Sequence, residues 1–265
     1  MRAPYLGYAI ASVCGGMLVA LVLLAVGAFH GSQTRTVELE PSYGSANPQP
    51  SGAGGAVSLN YVFHRDGPGV VLVRARGGVR RGSRVVPAGP VRTASGFLVA
   101  PHGYLLTSYH AVAAVAAAGG MIAIQFDDGV VRPAQFVRGD PADDLALIKV
   151  SVAGILPIVA PLPLGDSRSI AAGDTVIALG NPFGLGRTIA SGVISGLQPQ
   201  VVTRGGITID DVFQTDIAPT ATSPGGPLLD DSGNVIAMVA NVDGIPFAIP
   251  IDAAKPLING AVETH

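Results

Sequence analysis

The chain has 265 residues, 48% of them apolar, with a formal net charge of −2; that length holds one large core or two modest ones, and the near-neutral charge leaves no electrostatic footprint for a nucleic-acid partner. A single cysteine, Cys14, excludes an internal disulfide framework and a cysteine-rich metal site, and its place in an apolar run makes it a buried structural thiol. With 36 glycines, 21 prolines and no tryptophan, the composition favours short strands and tight turns over long helices.

Tyr8 to Phe29 is a nearly unbroken apolar run of 22 residues, enough at about 1.5 Å per residue to cross a bilayer core of roughly 30 Å. It reads as an uncleaved membrane anchor, with a signal sequence cut after the small residues Val26-Gly27-Ala28 as the competing reading. Arg2 precedes the run, whereas Arg35, Glu38 and Glu40 follow it, so positive-inside logic puts the N-terminus in the cytoplasm. On either reading the rest of the chain is exported. The expected location is a single-pass protein of the cytoplasmic membrane with its folded part in the periplasm or outside the cell. Residues 30–57 are rich in Ser, Gly, Pro, Asn and Gln without an apolar period and read as a flexible tether.

From Ser58 the pattern changes to short apolar strands. Val70–Val73 is a β-branched run, and Arg74 to Arg92 holds six arginines and no acid among glycines and prolines. That second stretch reads as a solvated loop, with a basic contact for anionic lipid or an acidic partner as the functional alternative. Strands are expected at Thr93–Ala100 and Tyr104–Ser108, one or two helical turns over Ala111–Ala118, a hairpin from Met121–Phe126 and Val130–Val137, and a strand at Leu145–Val150. After the proline-rich Ile155–Pro163, a second set follows at Thr175–Leu179, Thr188–Leu197, Ile207–Phe213, Val235–Ala240 and Pro246–Ile249. Two groups of about six strands with almost no helix imply an all-β fold of two packed barrels, 58–154 and 155–255, with 256–265 as a tail.

Four stretches carry a more specific signal. Ser95–Val112 reads SGFLVAPHGYLLTSYHAV, Asp140–Val150 reads DPADDLALIKV, Gly180–Gly196 reads GNPFGLGRTIASGVISG, and Gly244–Pro250 reads GIPFAIP. Together with the Gln214-Thr215-Asp216 run and the Gly225-Gly226-Pro227 run after it, they resemble the HtrA/Deg group of trypsin-like serine proteases over roughly Val70 to Asp252. The resemblance implies a double β-barrel with the cleft between the barrels, His110 as general base and Asp144 as the carboxylate that orients it, with Asp143 the nearest competitor. The glycines of Gly180–Gly186 do not have dinucleotide-binding spacing, and no cofactor or metal is expected.

The nucleophile loop departs from the family. Eight residues, Ile217 to Pro224, separate Asp216 from Gly225, the family's own interval, so the nucleophile slot is Pro224, the asparagine slot Ser223 and the first glycine slot Thr222. Proline has neither hydroxyl nor N–H, so it removes both the nucleophile and one oxyanion donor. Thr222 keeps the other donor on a β-branched residue ill suited to glycine's backbone angles. The expected protein is a pseudo-protease that binds polypeptide or another partner. Its rival is an active endopeptidase in protein quality control using His110, Asp144 and Ser223 after a one-residue slip, against which stands the extended bias of a residue before proline. An uncharged primary pocket near Ala218 and Pro219 would take small or apolar side chains. A metal-binding scaffold using His64 and His102 is the third class, without ligand spacing to support it. The family also implies a homotrimer built on the approach to the first strand, where Tyr61 and Phe63 lie, and the short stretch after Ile249 implies a chain without a PDZ domain.

Overall fold

The computed structural model describes residues 57–151, 159–182, 184, 186–202, 208–218, 223–242 and 245–262. The apolar run Tyr8–Phe29, Cys14 and the tether up to residue 56 lie outside them, as do Pro219 and Thr222. Among the described residues, no helix is long and apolar enough to cross a membrane.

The described chain begins with α1 (Leu59–Arg65), where strands were expected; His64 therefore sits on a helix and not in a strand approach. The reason is local: the Ser58 hydroxyl accepts the Tyr61 N–H at 3.1 Å and caps the first turn. Six strands then follow, β1 (Val70–Arg81), β2 (Arg84–Ala100), β3 (Tyr104–Ser108), β4 (Gly120–Gln125), β5 (Val131–Asp140) and β6 (Leu145–Val150), with α2 (Tyr109–Ala118) between β3 and β4. A second set comprises β7 (Thr175–Gly180), β8 (Thr188–Val202), β9 (Thr208–Thr215), β10 (Pro227–Leu229), β11 (Val235–Val242) and β12 (Ile245–Pro250). Each set closes into an antiparallel barrel, in the orders β1-β2-β3-β6-β5-β4 and β10-β11-β12-β9-β8-β7. The all-β double barrel expected from the sequence is borne out.

Period-two alternation explains why the strands read as continuous apolar runs. Along β3 and β6, Leu105, Ala146 and Ile148 fill the first barrel, while Tyr104, Leu106, Leu145 and Leu147 join a cluster shared with Leu179, Leu229 and Met238 of the second barrel. Both faces of these strands are therefore dry, and the two barrels are fixed to one another where the motifs meet.

Two expectations are corrected. Arg74–Arg92 is not a loop but the distal part of the β1–β2 hairpin, paired to its tip at Arg81↔Arg84 with a register shift between Arg76 and Gly78. The tail is also structured, since α3 (Ile251–Val262) contains Pro256 and buries Ile251, Ala254, Ile258 and Ala261. Its last carbonyls are taken by the first barrel: the Tyr104 hydroxyl donates to Ala261 O at 3.2 Å and Arg138 donates to Gly260 O at 3.0 Å.

Candidate active site

His110 lies in the first turn of α2, directly after the buried strand β3, and its side chain is 50% exposed. Asp144 closes the turn before β6 in left-handed backbone, φ 52°, a conformation that aspartate tolerates better than most residues. That bend aims its whole peptide unit at α2. The Asp144 carbonyl accepts the Tyr109 N–H at 2.9 Å, one carboxylate oxygen accepts the His110 N–H at 2.7 Å, and the other lies 2.8 Å from His110 Nδ1. Two of the four N–H groups that a helix N-terminus leaves without partners are thus satisfied by one residue. In the neutral ring, the tautomer that suits this contact carries its proton on Nδ1 toward the carboxylate and leaves Nε2 as an acceptor.

Asp143 does not meet His110. It lines a separate cavity of about 620 Å³ with Asp210, Asp211 and Phe213. Burial first, and then repulsion from Asp140, Asp210 and Asp211, hold its carboxyl above the usual aspartate range.

Opposite the dyad, Ser223 to Gly226 is a tight turn closed by the Gly226 N–H on Ser223 O at 3.1 Å. Pro224 is at the first corner and Gly225, φ 87°, at the second, which is the residue pattern of a type II turn. The Pro224 carbonyl accepts the Ser95 N–H at 2.8 Å, the Gly225 N–H donates to Val239 O at 2.8 Å, and the Val239 N–H donates to Gly226 O at 2.8 Å. A Cβ on Gly225 would run into the Ser95 carbonyl and lie 3.1 Å from the Ser108 nitrogen, so the turn is seated against the strands that lead to His110. Ser223 is 7% exposed, and among the described residues its hydroxyl reaches only the Pro224 carbonyl, at 3.5 Å. Among the described residues, no hydrogen bond joins His110 to Ser223.

Trypsin-like peptidase domains as a class match residues 94–238, more than half of the chain. The chain belongs to this family, in its HtrA/Deg group. A probable periplasmic serine endoprotease, DegP-like, of Brucella suis biovar 1 (strain 1330) is 33% identical over 181 residues, 66% of this chain and 34% of that protein. Among solved structures, Deg5 aligns with a TM-score of 0.61 at 29% identity, over 74% of this chain and 90% of that one. The HtrA-type protease AlgW with a tripeptide aligns with a TM-score of 0.62 at 30% identity, over 78% and 64%. The chain spans about a third of the length of the curated relatives it matches.

Within this HtrA-type fold, the residues singled out by sequence fall into three groups. His110 and Asp144 meet; Ser223 and Pro224 lie on the facing turn; Ala218 is exposed beyond the end of β9. His102 sits in an exposed turn with φ 63°, and among the described residues no cluster of three metal-ligating side chains includes it or His64. The residue that sequence reasoning passed over is Ser95. Fully buried, it donates its N–H to Pro224, accepts the Thr107 hydroxyl on its carbonyl at 2.7 Å and accepts the Asn181 N–H on its hydroxyl at 3.0 Å. One side chain and its peptide therefore join the His110 strand, the Gly180–Gly186 run and the Ser223–Gly226 turn. The signal was present, since Ser95 opens the quoted Ser-Gly-Phe run.

Proposed function

We propose that this chain is a membrane-anchored HtrA-like pseudo-protease of the extracytoplasmic space, which holds polypeptide in the cleft between its barrels and cleaves it poorly or not at all. The observation that supports this reading best is the turn Ser223–Gly226, where proline fits the first corner and the bonds to Ser95 and Val239 are all made. At that corner there is no hydroxyl for His110 to deprotonate and no N–H for an oxyanion. Ser223 is one residue too early, at the entrance of the turn instead of its corner, with its hydroxyl on a neighbouring carbonyl. Periplasmic placement is supported by the DegP-like relatives, anchoring by the run Tyr8–Phe29, and polypeptide as the ligand by the AlgW–tripeptide structure. A homotrimer built around α1 is carried as part of the same reading.

Fluorophosphonate labelling of the detergent-solubilised chain, beside Ser223→Ala and His110→Ala, tests the chemistry. The expected result is no labelling in any of the three while circular dichroism reports a folded β-protein. Labelling of the parent chain that vanishes in both variants would make Ser223 an activated nucleophile and the chain an active endopeptidase.

A further inference from the structure

The β1–β2 hairpin outgrows its barrel. β4 accompanies β1 only as far as Gly77↔Gly120, and β3 pairs with β2 only from Gly96 to Ala100. The four pairs Gly78↔Pro87, Val79↔Val86, Arg80↔Val85 and Arg81↔Arg84 therefore project as a bare two-stranded ribbon, about 13 Å long at strand rise. Directly opposed and alternate residues share a face, so Val79 and Val86 lie on the same side as Arg81 and Arg84, with the arginines nearer the tip. Val79 is 52% exposed and Val86 43%.

This end of the ribbon is built against its own stability. Opposed like charges weaken a strand pair, and a lone two-stranded ribbon is marginal to begin with. No acidic residue occurs anywhere from Val70 to Phe126. Among the described residues, Arg80, Arg81 and Arg84 meet no carboxylate and no other acceptor, whereas the nearby Arg76 donates to Gly89 O at 3.0 Å. Two of these unpartnered guanidinium groups, Arg81 and Arg84, lie beyond the exposed valine pair and present phosphate ligands and apolar carbon on one flat face, while Arg80 adds its charge from the opposite face of the same tip.

We propose that this hairpin tip docks on the headgroups of an anionic phospholipid surface, its guanidinium groups on the phosphates and its valines at the headgroup–acyl boundary. An acidic polypeptide would use the arginines but has no need of the valine pair beside them. The proposal rests on the described hairpin alone; a membrane anchor at Tyr8–Phe29 would raise the hairpin's local concentration at the bilayer without being required for the contact.

The test uses the full chain with Cys14→Ser and Ser83→Cys, labelled at the tip with an environment-sensitive fluorophore, and vesicles of phosphatidylcholine with or without phosphatidylglycerol. A blue shift on the anionic vesicles and none on the neutral ones is expected. Arg80→Glu/Arg81→Glu/Arg84→Glu should weaken that response roughly 100-fold at low ionic strength, and Arg81→Gln/Arg84→Gln should give an intermediate loss. Flotation on neutral vesicles reports the apolar segment separately, so failure of the anchor leaves the hairpin response readable. Equal shifts on both vesicles, no shift on either, or a shift with soluble polyglutamate but not with anionic vesicles would each overturn the lipid assignment.

Discussion

On the first barrel, Asp144 touches His110 twice and also accepts the Tyr109 N–H, so it closes the N-terminal end of α2 whether or not a nucleophile faces the imidazole. On the second barrel, the turn Ser223–Gly226 keeps its bonds to Ser95 and Val239 through backbone atoms alone. A carboxylate that orients an imidazole and doubles as a helix cap is held by the fold; the residue at the turn corner bonds only through its carbonyl, so proline satisfies it. The difference accounts for Asp144 beside Pro224. It does not extend to the His110 ring, half exposed with no packing duty visible among the described residues, and the ring is where a retained function is best sought.

Rebuilding the turn breaks the comparison most sharply. Thr222→Gly/Ser223→Asn/Pro224→Ser restores the hydroxyl and the N–H that Pro224 lacks, and gives the residue-222 N–H glycine's backbone freedom, opposite a dyad whose carboxylate and imidazole are already 2.8 Å apart. Loss of a nucleophile costs on the order of 10⁶ in turnover, and repair in an unadapted cleft is expected to recover on the order of 10³ or more, measured on a fluorogenic peptide with small apolar residues before the cut. Adding Asp144→Asn should return the repaired chain to background, because the amide no longer fixes the productive tautomer. A repaired chain that is folded and inert would move the block away from Pro224.

A middle-sized effect is expected at Gly225. Alanine there would have to adopt a left-handed φ and push its methyl into the Ser95 carbonyl, a cost of about 2–4 kcal/mol. Since Ser95 also holds Asn181, the damage should spread to both sides of the cleft. Chemical denaturation would measure it, and a loss below 1 kcal/mol would mean that the turn is not seated as tightly as its contacts indicate.

How far the sequence disclosed all this depended on where the controlling interaction lay. Strands such as Val70–Val73 and Leu145–Val150 were plain because β-branched and aliphatic runs bounded by turns need no tertiary help to be recognised. The Ser95–Val112 run was legible for its length. What escaped depended on partners distant in sequence or on misleading residues: the ribbon from Gly78 to Pro87 is full of loop formers, Pro256 hid the helical spacing of Ile251, Ala254, Ile258 and Ala261, and the linking role of Ser95 exists only once Asn181 and Pro224 have been brought to it. Between Asp143 and Asp144 the sequence favoured Asp144 through its resemblance at Asp140–Val150; in the structure the left-handed backbone at Asp144 turns it toward His110.

That choice supplies the smallest effect. Asp143 is held above the usual carboxylate range by burial and by Asp140, Asp210 and Asp211, so its ionised form is less welcome in the fold than in the unfolded chain. The sign follows from linkage: above the raised folded value the fold bears the full penalty, and as pH falls toward the unfolded value the carboxyl takes up its proton and the penalty disappears. Asp143→Asn should therefore stabilise the protein at pH 7, by less than about 1 kcal/mol because the site is partly solvated, and should make no difference below about pH 3, where the aspartate is largely protonated in both the folded and the unfolded chain. Urea denaturation at the two pH values measures this. Destabilisation at pH 7 would mean that the Asp143 carboxylate has an attractive partner, and that the acidic cavity it shares with Asp210 and Asp211 is compensated by a cation.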